Sequence, residues 1–477
     1  MTDALSPEEY ASYDATGLAE LIGSDEVTGA EAAAAARRAI ERVEPAVNGL
    51  AFPLLDEPLA HDPTGPLGGV PFLLKDLGPY AEGFPFSSGS RFFEGSVATQ
   101  DADIMRRFRT AGLATLGSTA TPEFAFSFDT TTRRNGATNN PWDLGRGVGG
   151  SSGGAAALVA AGAVPIAHAT DGAGSTRVPA AFCGLVGLKP TRGRTPVDVE
   201  GLFGLAAESG VTRTVRDSAA LLDAIAGPQA TAKYRIPAPS GPYVAALGRP
   251  VAPLRIAVQT DDWGSATVDP EIVRATLETA ALLEAMGHRV ETARPDFDPE
   301  QILRVFTMTA VLSIGTMLDS SPAEPTPELL EATSYRLWRE AAEWNALDVG
   351  HGFEALNETC RRAGAFFESY DLLVTPTAAR TAMPHGTHDF DAPGHTVESW
   401  HEILFSACPF TGPFNIGGQP AISLPMGESS EGLPIGVQLV AEYGRDDLLL
   451  QLAARLEEAR QWAGRRPAVH ASAPPVR

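Results

Sequence analysis

The chain has 477 residues, 44% of them apolar and 20% charged, a balance that describes a globular protein with a sizeable core. Its 59 acidic side chains outnumber 36 basic ones, and the formal net charge of −23 argues against nucleic acid or an anionic membrane as the main partner. Cys183, Cys360 and Cys408 are odd in number and widely spaced, which fits a reducing cytoplasm better than a disulfide framework.

The N-terminal MTDALSPEEYASYD lacks the basic-then-apolar pattern of a signal peptide. Residues 15–44 read as helices, with Thr28 as an N-cap and Glu31 three residues on, as in a capping box. Lys75 follows Gly69-Val70-Pro71 inside the apolar run GVPFLLKDL, which places it on a short buried strand. Residues 101–111 pattern as a helix and 112–116 as the next strand, and the alternation continues to about residue 225, the mark of a layered α/β core. The small apolar run 155–167 is broken by Gly162 and Pro165 and is too short to span a bilayer. Residues 253–296 form a βαβ-like unit with a helix near 269–286, and two or three helices follow to about 368. Strand patterns return at 371–377, 420–425 and 436–443, and a helix over 445–459 precedes a proline-containing tail. There is no internal repeat and no linker that would demand two units. The expected fold is therefore α/β: one large domain over 1–477, with the last 60 residues completing a sheet begun early.

The stretch GGSSGGAAALVAAGAVPIAHATDGAGSTR (149–177) carries two glycine-framed serine sites, Ser151/Ser152 and Ser175. Serines among glycines suggest a nucleophile with backbone N–H groups free around it. A lysine in a buried strand needs a reason to be there, because burying charge is costly. Each residue alone has a bland use: Lys75 could extend its tip to solvent, and Ser151 or Ser175 could cap a helix. The combination points instead to a serine hydrolase whose base is a lysine. GRGVGG (145–150) matches a dinucleotide fingerprint and GSSGG (150–154) a nucleophile elbow on Ser152. Both motifs require a strand immediately before them, and the preceding Asn140-Pro141-Trp142-Asp143 reads as a turn. His385, His388 and His395 fall in an irregular loop at a spacing that matches no helical metal motif, so they read as a surface or pocket rim.

With these residues in view, the chain resembles the amidase signature family. The likeness lies in GVPFLLKDL, GGSSGGAAALVAAG and ATDGAGSTRVPAAFCGLVGLKPTRGR, spread over about 69–194, and continues in GQPAISLP and GLPIGVQLV. It implies a mixed twisted sheet covered by helices on both faces, a catalytic core over 69–225, and a more variable segment over 250–370 that shapes the pocket. It further implies amide hydrolysis by a Ser–cis-Ser–Lys triad without metal or cofactor: Ser175 as nucleophile, Ser151 as the bridging serine in a cis peptide, Lys75 as base. The backbone N–H groups of Gly172, Ala173, Gly174 and Ser175 would form the oxyanion hole. Asp171 and Arg177 would pair to fix that loop, and Phe126 and Ser127 would contact substrate.

Two departures bear on specificity. Ala173-Gly174 stands where the family more often has two glycines, and Val178 stands where the transamidating tRNA-linked subunit carries glutamine. Within the family, VPFLLKDL, PIAHATDGAGSTRVPA, FTGPFNIGGQPAISLP and YGRDDLLLQLAARLE most resemble hydrolases of nylon-oligomer amides, cyclic or linear. The expected partner is a small-molecule amide, with room for a homodimer. Anilide or carbamate hydrolysis is the alternative within the enzyme class, and a binding protein that kept the fold without turnover is the alternative outside it.

Overall fold

The computed structural model describes residues 5–78, 80–196, 201–227, 236–264 and 266–473. Ten strands carry the architecture: β1 (Pro71–Lys75), β2 (Ala114–Thr119), β3 (Ile166–Asp171), β4 (Val186–Lys189), β5 (Ala207–Thr212), β6 (Arg255–Val258), β7 (Arg289–Thr292), β8 (Leu372–Pro376), β9 (Ala421–Glu428) and β10 (Pro434–Ala441). Eight of them form one mixed sheet in the order β7-β6-β8-β10-β9-β4-β5-β3, while β1 and β2 pair in parallel beside its β3 end. The strands from the last 60 residues sit between β8 and β4, so the C-terminus completes the sheet as expected. The strand expected at 112–116 runs over Ala114–Thr119 instead, because Gly112 takes a left-handed φ of 88° to end the preceding helix.

Strand side chains alternate between two faces, and here both faces are buried. Ile256, Val258, Leu372, Val374, Ile422 and Leu439 join one apolar cluster with the helices Val215–Ile225, Pro270–Ala285 and Asp446–Arg460. Ala257, Leu373, Ala421 and Val440 join another, under the helices Pro299–Ala310 and Ala346–Phe367. The first of these two helices runs on through a π-turn at Val311–Gly315 to Asp319. That 21-residue span is long and apolar enough to cross a membrane, yet 56% of an 18-residue apolar stretch within it is buried in the protein.

The N-terminal third is built from small side chains. Thr28 and Glu31 form the capping box that starts the helix Gly29–Val47. Its Ala32, Ala35, Ala36, Ala39 and Val43 recur at helical spacing and pack with the helix Gly153–Ala160, every residue of which is buried. Alanine and glycine on facing helices let the backbones approach closely.

A buried acidic cluster ties the helical layer to the segment after β2. The Glu123 carboxylate accepts from Ser90 Oγ at 2.6 Å and from the Glu331 backbone N–H at 3.0 Å. Glu331 accepts from the Arg133 N–H at 2.9 Å, and Arg133 reaches Asp391 and the carbonyls of Pro327 and Leu330. Burial, reinforced by the Glu123 carboxylate, pushes the Glu331 carboxyl up to about 8. The folded chain therefore holds a proton that the unfolded chain releases near 4.5, so this group's contribution to stability falls as pH rises between those values. Thermal melts from about pH 5 to pH 8 are expected to show Glu331→Gln gaining on the parent as pH increases. Parallel curves for the two proteins would contradict this.

Candidate active site

Lys75 ends β1, opposite Thr119 of β2, and is 1% exposed. Its Nζ donates to Ser151 Oγ at 2.6 Å and to Thr170 Oγ1 at 2.8 Å, so both side-chain contacts are to neutral hydroxyls. Burial lowers the amine to about 7, against the charges of Glu208 and Asp171, which favour the ammonium. An amine poised near neutrality against a serine hydroxyl can take up that hydroxyl's proton.

The Gly150–Ser151 peptide is cis. A side chain at 150 would find no room, since a Cβ there would lie 2.4 Å from the Ser127 carbonyl oxygen. Thr121 Oγ1 donates to the Ser151 carbonyl at 2.9 Å and fixes the loop from the β2 side. Ser152, fully buried, spends its hydroxyl on the backbone of Thr170 and sends its N–H to the Ser175 carbonyl at 3.1 Å. The expected turn is present at Pro141-Trp142; it joins Asn139–Asn140 to a short, largely exposed strand over Asp143–Gly147 that the sequence did not suggest. It lies outside the main sheet, so it supplies neither the buried strand of a nucleotide fold nor that of an elbow.

Ser175 follows β3 in the loop DGAGS and is 7% exposed. Among the described residues its hydroxyl has no hydrogen-bond partner, and neither do the backbone N–H groups of Gly172, Ala173, Gly174 and Ser175. Consecutive free N–H groups beside an unbonded hydroxyl can receive a negatively charged oxygen. Gly174 has a φ of 137°, and a Cβ there would lie 2.3 Å from Thr411 Oγ1. Thr411 instead donates that hydroxyl to the Ala173 carbonyl at 2.6 Å.

Beneath the loop lies the pair placed there by resemblance. Arg177 clasps Asp171 with two bonds of 2.8 Å, and both residues are fully buried. The remaining guanidinium donors reach Gln438 Oε1 at 2.6 Å, Asn415 Oδ1 at 2.6 Å and the Thr411 carbonyl at 3.0 Å. Asn415 returns its amide to the Asp171 carbonyl at 2.8 Å. Burial alone would raise Asp171, but Arg177 outweighs it and holds the carboxyl at about 2.

The structure brings Lys75, Ser151, Asp171, Ser175 and Arg177 into one buried unit, joined by Thr170, Thr411, Asn415 and Gln438. Thr170 carries a local signal, its place one residue before Asp171, and nothing near the serines in sequence announces Thr411, Asn415 or Gln438. Phe126 lies apart from the triad contacts. Its ring is 8% exposed, edge-on to His401 at 5.0 Å and Phe390 at 5.8 Å, in an apolar cluster against which Ala173 packs. Ser127 is buried and accepts from the Asp129 N–H at 3.1 Å. His388 lines a small cavity with Phe128, Asp129 and Phe182. Among the described residues no three His, Cys, Asp or Glu side chains are set to hold a metal ion.

The family model described as "Amidase" matches residues 35–450. A 6-aminohexanoate-cyclic-dimer hydrolase from Pseudomonas sp. (strain NK87) is 38% identical over 95% of this chain and 96% of its own. An acylamidase from Rhodococcus erythropolis is 34% identical over 95% of this chain and 97% of its own. A solved structure of 6-aminohexanoate cyclic dimer hydrolase complexed with substrate superposes with a TM-score of 0.90, at 36% identity, covering 96% of this chain and 99% of that one. The chain belongs to the amidase family and is an amidase, a hydrolase of C–N bonds other than peptide bonds.

Breaking one half of the buried ion pair leaves a charge without water or counter-charge. Asp171→Ala is accordingly expected to cost about 3–5 kcal/mol in chemical denaturation. Arg177→Lys should also destabilise, because an ammonium cannot span Asp171, Asn415 and Gln438 together. Near-parental stability for either variant would show that the loop is fixed elsewhere.

Proposed function

We propose that Ser175 is the nucleophile of this amidase, with Ser151 as proton relay and Lys75 as general base. The observation that carries this reading is the 2.6 Å contact between a buried Lys75 amine and Ser151 Oγ. Ser175 Oγ attacks the amide carbonyl carbon while its proton passes to Ser151, whose own proton moves to Lys75 Nζ. The carbonyl oxygen becomes an oxyanion, received by the N–H groups of Gly172, Ala173, Gly174 and Ser175. Collapse breaks the C–N bond, and the proton held on Lys75 returns through Ser151 to the departing nitrogen. Water then enters by the same route in reverse and releases the acid from the acyl-Ser175 ester. Asp171 and Arg177 hold the loop and stay out of the proton path.

The substrate class we assign is a carboxamide of the kind named for the relatives, a linear or cyclic oligomer of 6-aminohexanoate. A second reading, anilide or carbamate hydrolysis, draws support from the aromatic group of Phe126, Phe306, Phe390 and Phe405 around His401, and from the acylamidase relative. Apolar rings of this kind favour neutral, bulky acyl or aryl groups. The unpaired Cys183, Cys360 and Cys408 support a cytoplasmic setting.

A fluorophosphonate should label the enzyme stoichiometrically, and mass spectrometry of the digest should place the adduct on Ser175. Ser175→Ala should lose both labelling and turnover while melting like the parent. An adduct on Ser152 would overturn the assignment of the nucleophile.

The base makes a separate demand. Because Lys75 must be neutral in the resting enzyme, kcat/KM is expected to rise as pH increases through about 7 and then level off. Lys75→Arg should not restore activity lost in Lys75→Met, since a guanidinium keeps its proton. Near-normal turnover by the arginine variant would remove Lys75 from the mechanism.

A further inference from the structure

Lys75 is held by its backbone as well as by its amine. Its N–H donates to Nδ1 of His168 at 3.3 Å, and His168 Nε2 lies 2.6 Å from Glu208 Oε2. His168 is fully buried and Glu208 is 8% exposed. The sheet register explains why these groups meet. His168 and Thr170 are two residues apart on β3 and so share a face, and Glu208 of β5 stands directly opposite Thr170. The face that gives Lys75 Nζ its second hydroxyl thus also presents an imidazole and a carboxylate.

The bonding fixes the tautomer. Nδ1 accepts from the Lys75 N–H, so it carries no proton, and the ring hydrogen sits on Nε2 and is donated to Glu208. The imidazole is then neutral and the pair as a whole keeps the charge of the carboxylate. We propose that His168 and Glu208 are positioning residues which hold the Lys75 backbone in place and set one uncompensated negative charge behind its amine. This rests on Lys75 being the base, and neither residue touches substrate.

Of the other groups around Lys75, Asp171 also favours the ammonium, but less than Glu208 does. Asp171, at the end of β3, shares its carboxylate with Arg177. Asp76, the next residue along from Lys75, is taken up by the N–H groups of Ser87, Ser88 and Gly89 and by the Ser87 hydroxyl. Tyr80 packs its ring edge-on against His168 at 5.1 Å, and Ser151 and Thr170 are neutral. The buried Lys189 lies beyond Asp171 and donates to the Pro190 carbonyl. Glu208 therefore opposes the desolvation of the amine with the least compensation. Without it the amine would lose its proton more readily and act as a weaker base.

The test is the pH profile of kcat/KM in the full-length enzyme with a chromogenic amide. Glu208→Gln removes the charge and retains a hydrogen-bond partner for His168. Its acid limb is expected to move to lower pH by about half to one unit, the lower end of what a nearby charge does, with a reduced plateau. Glu208→Asp and His168→Gln keep the charge and should leave the limb where the parent has it. Glu208→Met serves as the charge-removing variant if the glutamine form does not fold. A limb that stays in place in every charge-removing variant while only the plateau falls would reduce the pair to a structural prop and overturn the proposal. A parent enzyme without an acid limb, or full turnover by Lys75→Met, would instead overturn the assignment of the base itself.

Discussion

A lysine amine removed from water and set against a serine hydroxyl is the constraint on which this molecule depends. In solvent the amine would remain an ammonium near neutral pH and could accept nothing. In a purely apolar interior it would lose its proton so readily that it would hardly hold one. The structure balances the two: burial lowers the amine to about 7, while Glu208 and Asp171 pull the other way. Every element that touches Lys75 serves that balance by excluding water, by offering a neutral oxygen or by contributing a remote negative charge.

Water is excluded by small side chains. The helix Gly153–Ala160 follows the serine pair, and every one of its residues is buried. Its glycines bring backbones into contact where no Cβ would fit: one at Gly154 would lie 2.3 Å from the Gly49 carbonyl oxygen. Such packing seats the polar loop in an apolar interior. The loop carrying Ser175 is secured differently, by polar bonds from distant parts of the chain. Arg177 reaches Thr411 and Gln438, 234 and 261 residues away in sequence, which binds C-terminal segments to that loop. A buried charge is tolerable there because each guanidinium nitrogen finds an acceptor.

What the sequence makes legible follows from the same distinction between local and long-range interactions. Lys75, Ser151, Ser175, the glycine-framed loop and the Thr28–Glu31 capping box are written in short runs, because each depends on neighbours a few residues away. The alternation of strand and helix patterns likewise predicts a layered α/β fold with late strands closing an early sheet. Interactions set by strand register were not legible. The His168–Glu208 pair spans 40 residues and appears only once β3 and β5 are aligned. Asn415 and Gln438 look like ordinary polar residues until Arg177 is seen to need their oxygens. The turn at Pro141-Trp142 was legible, but the strand after it was not: Asp143–Gly147 pairs only with its own neighbour in an exposed hairpin and has no apolar alternation to announce it.

The proposed mechanism gives each of two serines in the site its own task, where one nucleophile alone would be expected to suffice. Lys75 Nζ is already committed to Ser151 and Thr170, at 2.6 and 2.8 Å, and Ser175 is not among its partners. A lysine that reached the nucleophile directly would have to leave the buried position that keeps it near neutrality. Ser151 removes that conflict, since a hydroxyl donates and accepts at once and can pass a proton while no heavy atom moves far. On the proposed mechanism the base stays fixed against β3, while the loop carrying Ser175 is held separately by Arg177 and by the Ser152 N–H on its carbonyl. The proposed base and nucleophile are thus positioned by different parts of the fold, with Ser151 as the proposed relay between them.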